Sequence, residues 1–290
     1  MQKITYINLM NESLVFQGAP YVLAKVSGLG LPDLDVETLK GAYQQGETVA
    51  AFRRGARHID LMVHIMGRTR EEMYALRTRA LRILSPDRAV DGESRAVLIY
   101  ENDSGRWQTG AIPENGLDAG GRVQNVQPNL KLSFRCESPY WYTPLESSAV
   151  IGETVSGLTL PFTLPISLGR GNYSEIVRND GDVACPVEMW IEGRGEAPSL
   201  LNRRTGKRLT LMRPLMTGCT LHLCTDPARL RAVITDSDGA ESSAFGLLSV
   251  DTPLADFTLL PGLNELVYLQ GGSTTHSVIH VAWRAAYEGV

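Results

Sequence analysis

Lysine is scarce in this chain of 290 residues: only Lys3, Lys25, Lys40, Lys131 and Lys207 are present, so nearly all of its 28 basic residues are arginine. Arginine has the planar, weakly hydrated fork that interfaces favour, and a genome rich in G+C raises arginine equally well. Basic residues are also outnumbered, by 32 acidic ones, for a net charge of −4. That balance excludes a dedicated nucleic-acid binder, which needs clustered cations to displace phosphate counterions. Cysteine is limited to Cys136, Cys185, Cys219 and Cys224, without a repeated short spacing, which argues for buried reduced thiols rather than a disulfide framework. Long apolar runs are missing, so no spanning helix is expected, and Ile4-Thr5-Tyr6-Ile7-Asn8 alternates where a signal peptide would be continuously apolar.

Motifs for chemistry are lacking too. Gly28-Leu29-Gly30 runs into Leu31-Pro32, without the third glycine and helix start of a dinucleotide loop. Gly206-Lys207 is followed by Arg208, with no glycine at the offset a phosphate loop needs. Cys219, His222 and Cys224 offer a converging pair at best, short of a metal's three or four ligands. His276 and His280 share a strand face but sit about 13 Å apart at strand rise. In Asp236-Ser237-Asp238-Gly239 the glycine comes too early for a calcium loop, and a hairpin turn explains it better. No catalytic, cofactor-binding or metal-ligating residue is assigned, no cofactor is expected, and the chain does not read as an enzyme.

What is present is β structure in two halves. With 43% hydrophobic and 21% charged residues, the chain is ordinary for a globular protein and long enough for two cored domains. Ile59, Leu61, Val63 and Ile65 alternate with His58, Asp60, Met62 and His64, which predicts a half-buried strand. Thr69-Arg70-Glu71-Glu72 is a capping box, and Met73, Leu76, Ala80, Ile83 and Leu84 fall at three-and-four spacing until Ser85-Pro86. A helix over 69–84 follows, with Leu76 on its buried face. Ala96–Tyr100, a turn at Asn102-Asp103-Ser104-Gly105, and a strand from Trp107 form a hairpin signal. Beyond Leu145 there is no helical pattern. Short strands such as Val187, Met189, Ile191 and Ile279, Val281, Trp283 alternate with Asp-Gly and Pro-Gly turns, as in a sandwich or jelly roll. Before them, Ser156–Tyr173 reads as an extended linker-like stretch.

The boundary between the halves is Ser138-Pro139-Tyr140-Trp141-Tyr142-Thr143-Pro144, after the alternating strand Leu130, Leu132, Phe134, Cys136. The prolines stop the strand, which makes Pro139, Tyr140, Trp141, Tyr142 and Pro144 a candidate hinge between residues 1–144 and 145–290. A strand ending in Glu-Ser and followed by Pro-Tyr-Trp-Tyr resembles the hinge of the distal tail proteins of long-tailed phages. Asn179-Asp180-Gly181-Asp182, Pro186, Ile191-Glu192-Gly193, Pro198-Ser199-Leu200-Leu201-Asn202, Thr205-Gly206 and Pro261-Gly262-Leu263-Asn264 follow in an order similar to that family's second domain. The chain has no large insertion of the kind that would add a host-adhesion role.

The resemblance implies a mainly β protein with a tail-tube-like first domain carrying one helix, and a galectin-like second domain. It implies a virion protein, assembled in host cytoplasm, that forms a homohexameric ring. Its partners would be the major tail tube protein, the tail tip or tail-associated lysin, and receptor-binding proteins. DNA would pass through the ring as cargo, which a mildly acidic wall would let slide, and nothing would insert in a membrane. Open sheet edges give the first domain a reason to self-associate. The stretch Gly46–Gly55 reads as a hairpin with an apolar centre, and Phe52, Arg53, Arg54 and Arg57 are the candidate subunit interface. The alternative is a carbohydrate-binding virion or wall-binding protein, with Tyr173 and Trp190 as a flat platform.

Overall fold

A computed structural model describes residues 2–92, 94–114, 121–152, 173–251 and 253–290, the side chains of 270–276 excepted. The stretch Ser156–Tyr173, apart from Tyr173, and the His276 side chain therefore lie outside the described residues. The chain divides into two compact units, Met1–Pro144 with Tyr287–Val290, and Leu145–Ala286. The last four residues, expected with the second half, thus belong to the first.

In the first unit two antiparallel sheets share one core. One sheet has six strands, in the order Ser13–Phe16, Lys3–Ile7, Val97–Asn102, Gly105–Gly110, Trp141–Tyr142 and Ala286–Tyr287. The other has four: Ile112–Pro113, Val126–Cys136, Arg57–Met66 and Tyr21–Ser27. Alternation puts Ile4, Tyr6, Leu98 and Tyr100 of the first against Ile59, Leu61, Leu132 and Phe134 of the second, all buried. The Tyr6 and Phe134 rings meet at 5.2 Å in this core. The turn of the Val97–Gly110 hairpin is closed by Asn102, whose Oδ1 accepts from the Ser104 and Gly105 amides at 2.8 and 3.1 Å.

The helix spans Arg70–Ile83, and the Thr69 hydroxyl accepts from the Glu72 amide at 3.2 Å. Glu72 reaches past the cap residue to the Arg68 amide, at 2.6 Å. Met73, Ala80 and Ile83 are buried in the core, whereas Leu76 is only half-buried at its margin. Tyr21 anchors this turn instead, donating its hydroxyl to the Leu76 carbonyl at 2.9 Å. At the far end Glu12 accepts from Arg82 and from Arg88, each at 2.6 Å, and fastens the helix end to the turn after Lys3–Ile7.

The second unit is built on one long antiparallel pair, Cys185–Asn202 with Gly262–Trp283, whose register shifts twice between Arg194 and Ser199. To one side of the shifts are Ser147–Gly152, Thr220–Cys224, Arg231–Thr235 and Glu241–Ser243; to the other are Ser174–Asn179 and Arg208–Thr210. Each half buries one face, with Met189, Ile191, Leu221 and Ile279 in the first and Val177, Leu200, Leu209 and Leu266 in the second. Three asparagines from the quoted motifs are buried turn-makers. Asn179 Nδ2 donates to the carbonyls of Val183 and Leu259, Asn202 Nδ2 to Thr258 and to Asn264 Oδ1, and Asn264 Nδ2 to Leu260. Asp236–Gly239 forms the hairpin turn before Glu241–Ser243, the Gly239 amide donating to the Asp236 carbonyl at 2.9 Å.

Candidate assembly surface and hinge

The stretch expected as a small hairpin is one strand of a larger one. Leu34–Leu39 pairs with Thr48–Arg54 in a two-stranded ribbon that belongs to neither sheet of the first unit. Its first strand was signalled by Leu34-Asp35-Val36-Glu37, an alternation that the glycines at 46 and 55 had overshadowed. Val36 stands opposite Phe52, and Leu34 opposite Arg54, so Leu34, Val36 and Phe52 share a face; Asp35, paired with Arg53 at 3.2 Å, lies on the other. The apolar face is open, with Leu34 and Val36 each 47% and Phe52 69% exposed. A two-stranded hairpin is marginal alone in water, and this one leaves its apolar face uncovered within its own chain.

The four candidate interface residues do not stay together. Phe52 and Arg53 project on the ribbon, whereas Arg54 is partly buried and pairs with Glu288 at 2.5 Å. Arg57 is a correction: at 1% exposure it is enclosed in its own unit and cannot meet a neighbour. Its guanidinium donates to the carbonyls of Gly28 at 2.7 Å, Gly30 at 2.5 Å, Pro139 at 2.8 and 3.0 Å, and Glu288. Carbonyl dipoles surround this charge, and burial pulls the Arg57 pKa below the ordinary arginine value. Gly28 is required here: its φ is +88°, and a Cβ would lie 1.9 Å from the His58 carbonyl oxygen. Burial, the opposite of what an arginine beside Arg53 and Arg54 suggests, had no signal except its phase with Ile59, Leu61 and Val63.

Arg57 also sits 5.6 Å from the Trp141 ring centroid, a cation–π contact. Trp141 is fully buried in the first unit's core, near Tyr100 at 6.2 Å, while Pro139, Tyr140, Tyr142 and Pro144 are half-buried. Tyr142 pairs with Gln108, and its hydroxyl meets the Ser138 hydroxyl at 2.9 Å. The candidate hinge residues up to Tyr142 are thus fastened to the first unit. The last four residues are fastened there as well, through Arg54, Arg57 and the bond from the Val290 amide to the Leu29 carbonyl at 3.1 Å.

The candidate chemical residues are placed as follows. His222 lies flat against Trp190, ring centroids 5.0 Å apart, and its Nε2 is 2.8 Å from Glu188 Oε1. Tyr173 bonds to Tyr268 and Trp190 pairs with His280, toward opposite ends of Gly262–Trp283, so register gives them no common platform. Burial pushes the Cys136 and Cys185 thiols up to about 12 and raises Cys224, so these thiols stay protonated. No group of three or more metal-ligating side chains converges among the described residues. No described helix is long and apolar enough to cross a membrane.

No family model matches the sequence, and no curated protein does. Solved structures are similar over the full chain. The Dit protein of phage SPP1, described as a paradigm of the hub adsorption apparatus in phages infecting Gram-positive bacteria, superposes with a TM-score of 0.66 at 13% identity, covering 99% of both chains. The fold is Dit-like. A chain of the phage P2 baseplate in its activated, calcium-containing conformation superposes with a TM-score of 0.54 at 10% identity, covering 97% of each. The strontium form of that baseplate gives 0.54 at 12% identity, over 97% of this chain and 98% of that one. At these identities the likeness is one of fold, and it takes in both units.

Proposed function

We propose that this chain is a structural protein of a long phage tail. Copies of it form a ring at the distal end, joining the tail tube to the baseplate or tail tip around a channel for DNA. The first unit makes the ring, and the second offers the docking surface for tip and receptor-binding components. A ring of six is taken from the distal tail family that the sequence resembles. The protein acts by assembly rather than catalysis, and its place is the virion tail.

The observation that carries this reading is the ribbon Leu34–Arg54, which holds an apolar face outside both sheets of its own unit. A cover supplied by a different surface of the next copy is a heterologous contact, and such contacts close into a ring when the rotation between copies closes. The Dit-like fold over the whole chain supports the same reading. Light scattering on the purified chain tests it: a mass near six protomers is expected, and a monomer at tens of micromolar overturns it.

A further inference from the structure

One corner of the first unit gathers arginines that no described carboxylate pairs. Arg68 and Arg70 flank the helix start, Arg77 lies two turns further along the face of Arg70, and Arg122 lies on the turn leading into Val126–Cys136. Tyr74 holds two of them: Arg122 Nε donates to its hydroxyl at 2.8 Å, and the guanidinium carbons of Arg77 and Arg122 lie 4.9 and 5.9 Å from its ring centroid. None of the four forms an ion pair among the described residues. Exposure alone does not settle this: Arg53, Arg106, Arg178, Arg203 and Arg229 are exposed and each meets a carboxylate, whereas exposed Arg194 and Arg213 do not, and what sets the corner apart is two guanidiniums on one ring. Of the helix's own acids, Glu72 is engaged with the Arg68 amide, which leaves Glu71.

Apolar side chains are exposed at the same corner, namely Met66, Tyr74 and Val123. The corner is fixed in shape. Asn125 Nδ2 donates to the Gly67 carbonyl, the Gly67 amide donates to the Asn125 carbonyl at 3.1 Å, and Arg122 ties the turn to the helix.

We propose that this corner docks an acidic face of another protein, a segment in which carboxylates are interleaved with apolar side chains. Two guanidiniums on one aromatic ring, with no counterion among the described residues, repel each other, and a carboxylate between them removes the repulsion while accepting paired hydrogen bonds. Arginine, tyrosine and methionine are the types enriched at protein interfaces. A phosphate polymer would satisfy the arginines and leave Met66 and Val123 against water. A second copy of this chain fits less well: two such corners face to face oppose like charges, and on the ribbon Asp35 and Glu47 already pair with Arg53 and Lys40, which leaves Glu37 as the one ribbon carboxylate to offer.

The test is fluorescence anisotropy of the full chain with a labelled 12-residue peptide alternating glutamate and leucine, at low salt. Binding is expected, with at least about tenfold loss for Arg77→Glu with Arg122→Glu. Arg194→Glu with Arg213→Glu, an exposed pair elsewhere, should leave it unchanged, and thermal melts of both variants should match the parent. Equal binding of a glutamine-for-glutamate peptide, equal loss in both variants, or no peptide binding overturns the proposal. Tighter binding of duplex DNA than of the peptide overturns it in favour of a polyanion site. Loss of self-association in the Arg77/Arg122 variant overturns it in favour of a contact between copies.

Discussion

Strands Thr48–Arg54 and Arg57–Met66 are separated by Gly55 and Ala56, yet they meet opposite fates. The second pairs on both sides, with Val126–Cys136 and Tyr21–Ser27, and a second sheet covers Ile59, Leu61, Val63 and Ile65. The first has one partner strand, and its Phe52 stands in the open. Alternation tells which residues share a face; it does not tell whether anything covers that face. What decides is the number of neighbouring strands and the presence of an opposing layer, and these depend on distant parts of the chain.

The largest expected effect tests the covered strand at its buried charge. Arg57→Met leaves the carbonyls of Gly28, Gly30, Pro139 and Glu288 without their donor, and should cost about 3–5 kcal/mol in denaturant unfolding of the full chain. Removing Tyr287–Val290 takes away one of those acceptors and the Arg54–Glu288 pair. The two changes should combine less than additively, since they share a partner. Strict additivity would show that Arg57 does not hold these residues to the first unit. It follows that a chain ending at Thr143 should fold less stably than the first unit does within the full chain.

Next is the layer that does the covering. Met73→Ala, at a fully buried helix position, should cost about 2–5 kcal/mol, while Leu76→Ala, half-buried, should cost less than half as much. Equal losses in thermal or denaturant melts would show that the helix presents a different face to the core.

The uncovered strand should behave in the opposite way. Phe52→Asp or Val36→Asp should shift the unfolding free energy of the isolated chain by no more than about 0.5 kcal/mol, as exposed sites do, while abolishing the higher-mass species in light scattering. Unchanged mass would mean that the ribbon is not the assembly surface. Arg53 is the better charge to reverse than Arg54, whose pair with Glu288 would mix stability with assembly.

The sequence carries the parts of this architecture that are written locally. Thr69 and Glu72 mark the helix start, Asn102 and Gly105 a hairpin, and Ile59 to Ile65 a buried face. What it does not carry is set by pairing at a distance. The return of Tyr287 to the first unit rests on bonds to Leu29, Arg54 and Arg57, more than two hundred residues away, and no local pattern in Ala286-Tyr287-Glu288-Gly289-Val290 encodes them. Arg57 misled for a related reason. An arginine beside two others reads as surface, and only its phase within the strand pointed inward. The ribbon is half legible, because Gly46 and Gly55 frame its second strand while Leu34-Asp35-Val36-Glu37 lies outside that frame. The arginine corner was not visible at all, since Arg122 and Tyr74 meet across 48 positions.

The smallest effect concerns the fastening of the cover, and its sign can be worked out. The Asn8 amide lowers the Glu12 pKa; desolvation opposes this, and Arg82 and Arg88 add to the lowering. A carboxylate whose folded value is depressed contributes stability that is fully present above its unfolded value, about 4.3, and that is lost as pH falls through the folded value. Glu12→Gln removes this contribution at neutral pH and has nothing further to lose in acid. The melting temperatures of parent and variant should therefore differ at pH 7 and converge as pH falls below about 4. Because Glu12 bridges Arg82 and Arg88 near the surface, added salt should narrow the gap at pH 7 as well. A gap that is constant from pH 7 to pH 3 would mean that Glu12 acts there through shape alone, with its charge contributing nothing to holding the helix end to the turn after Lys3–Ile7.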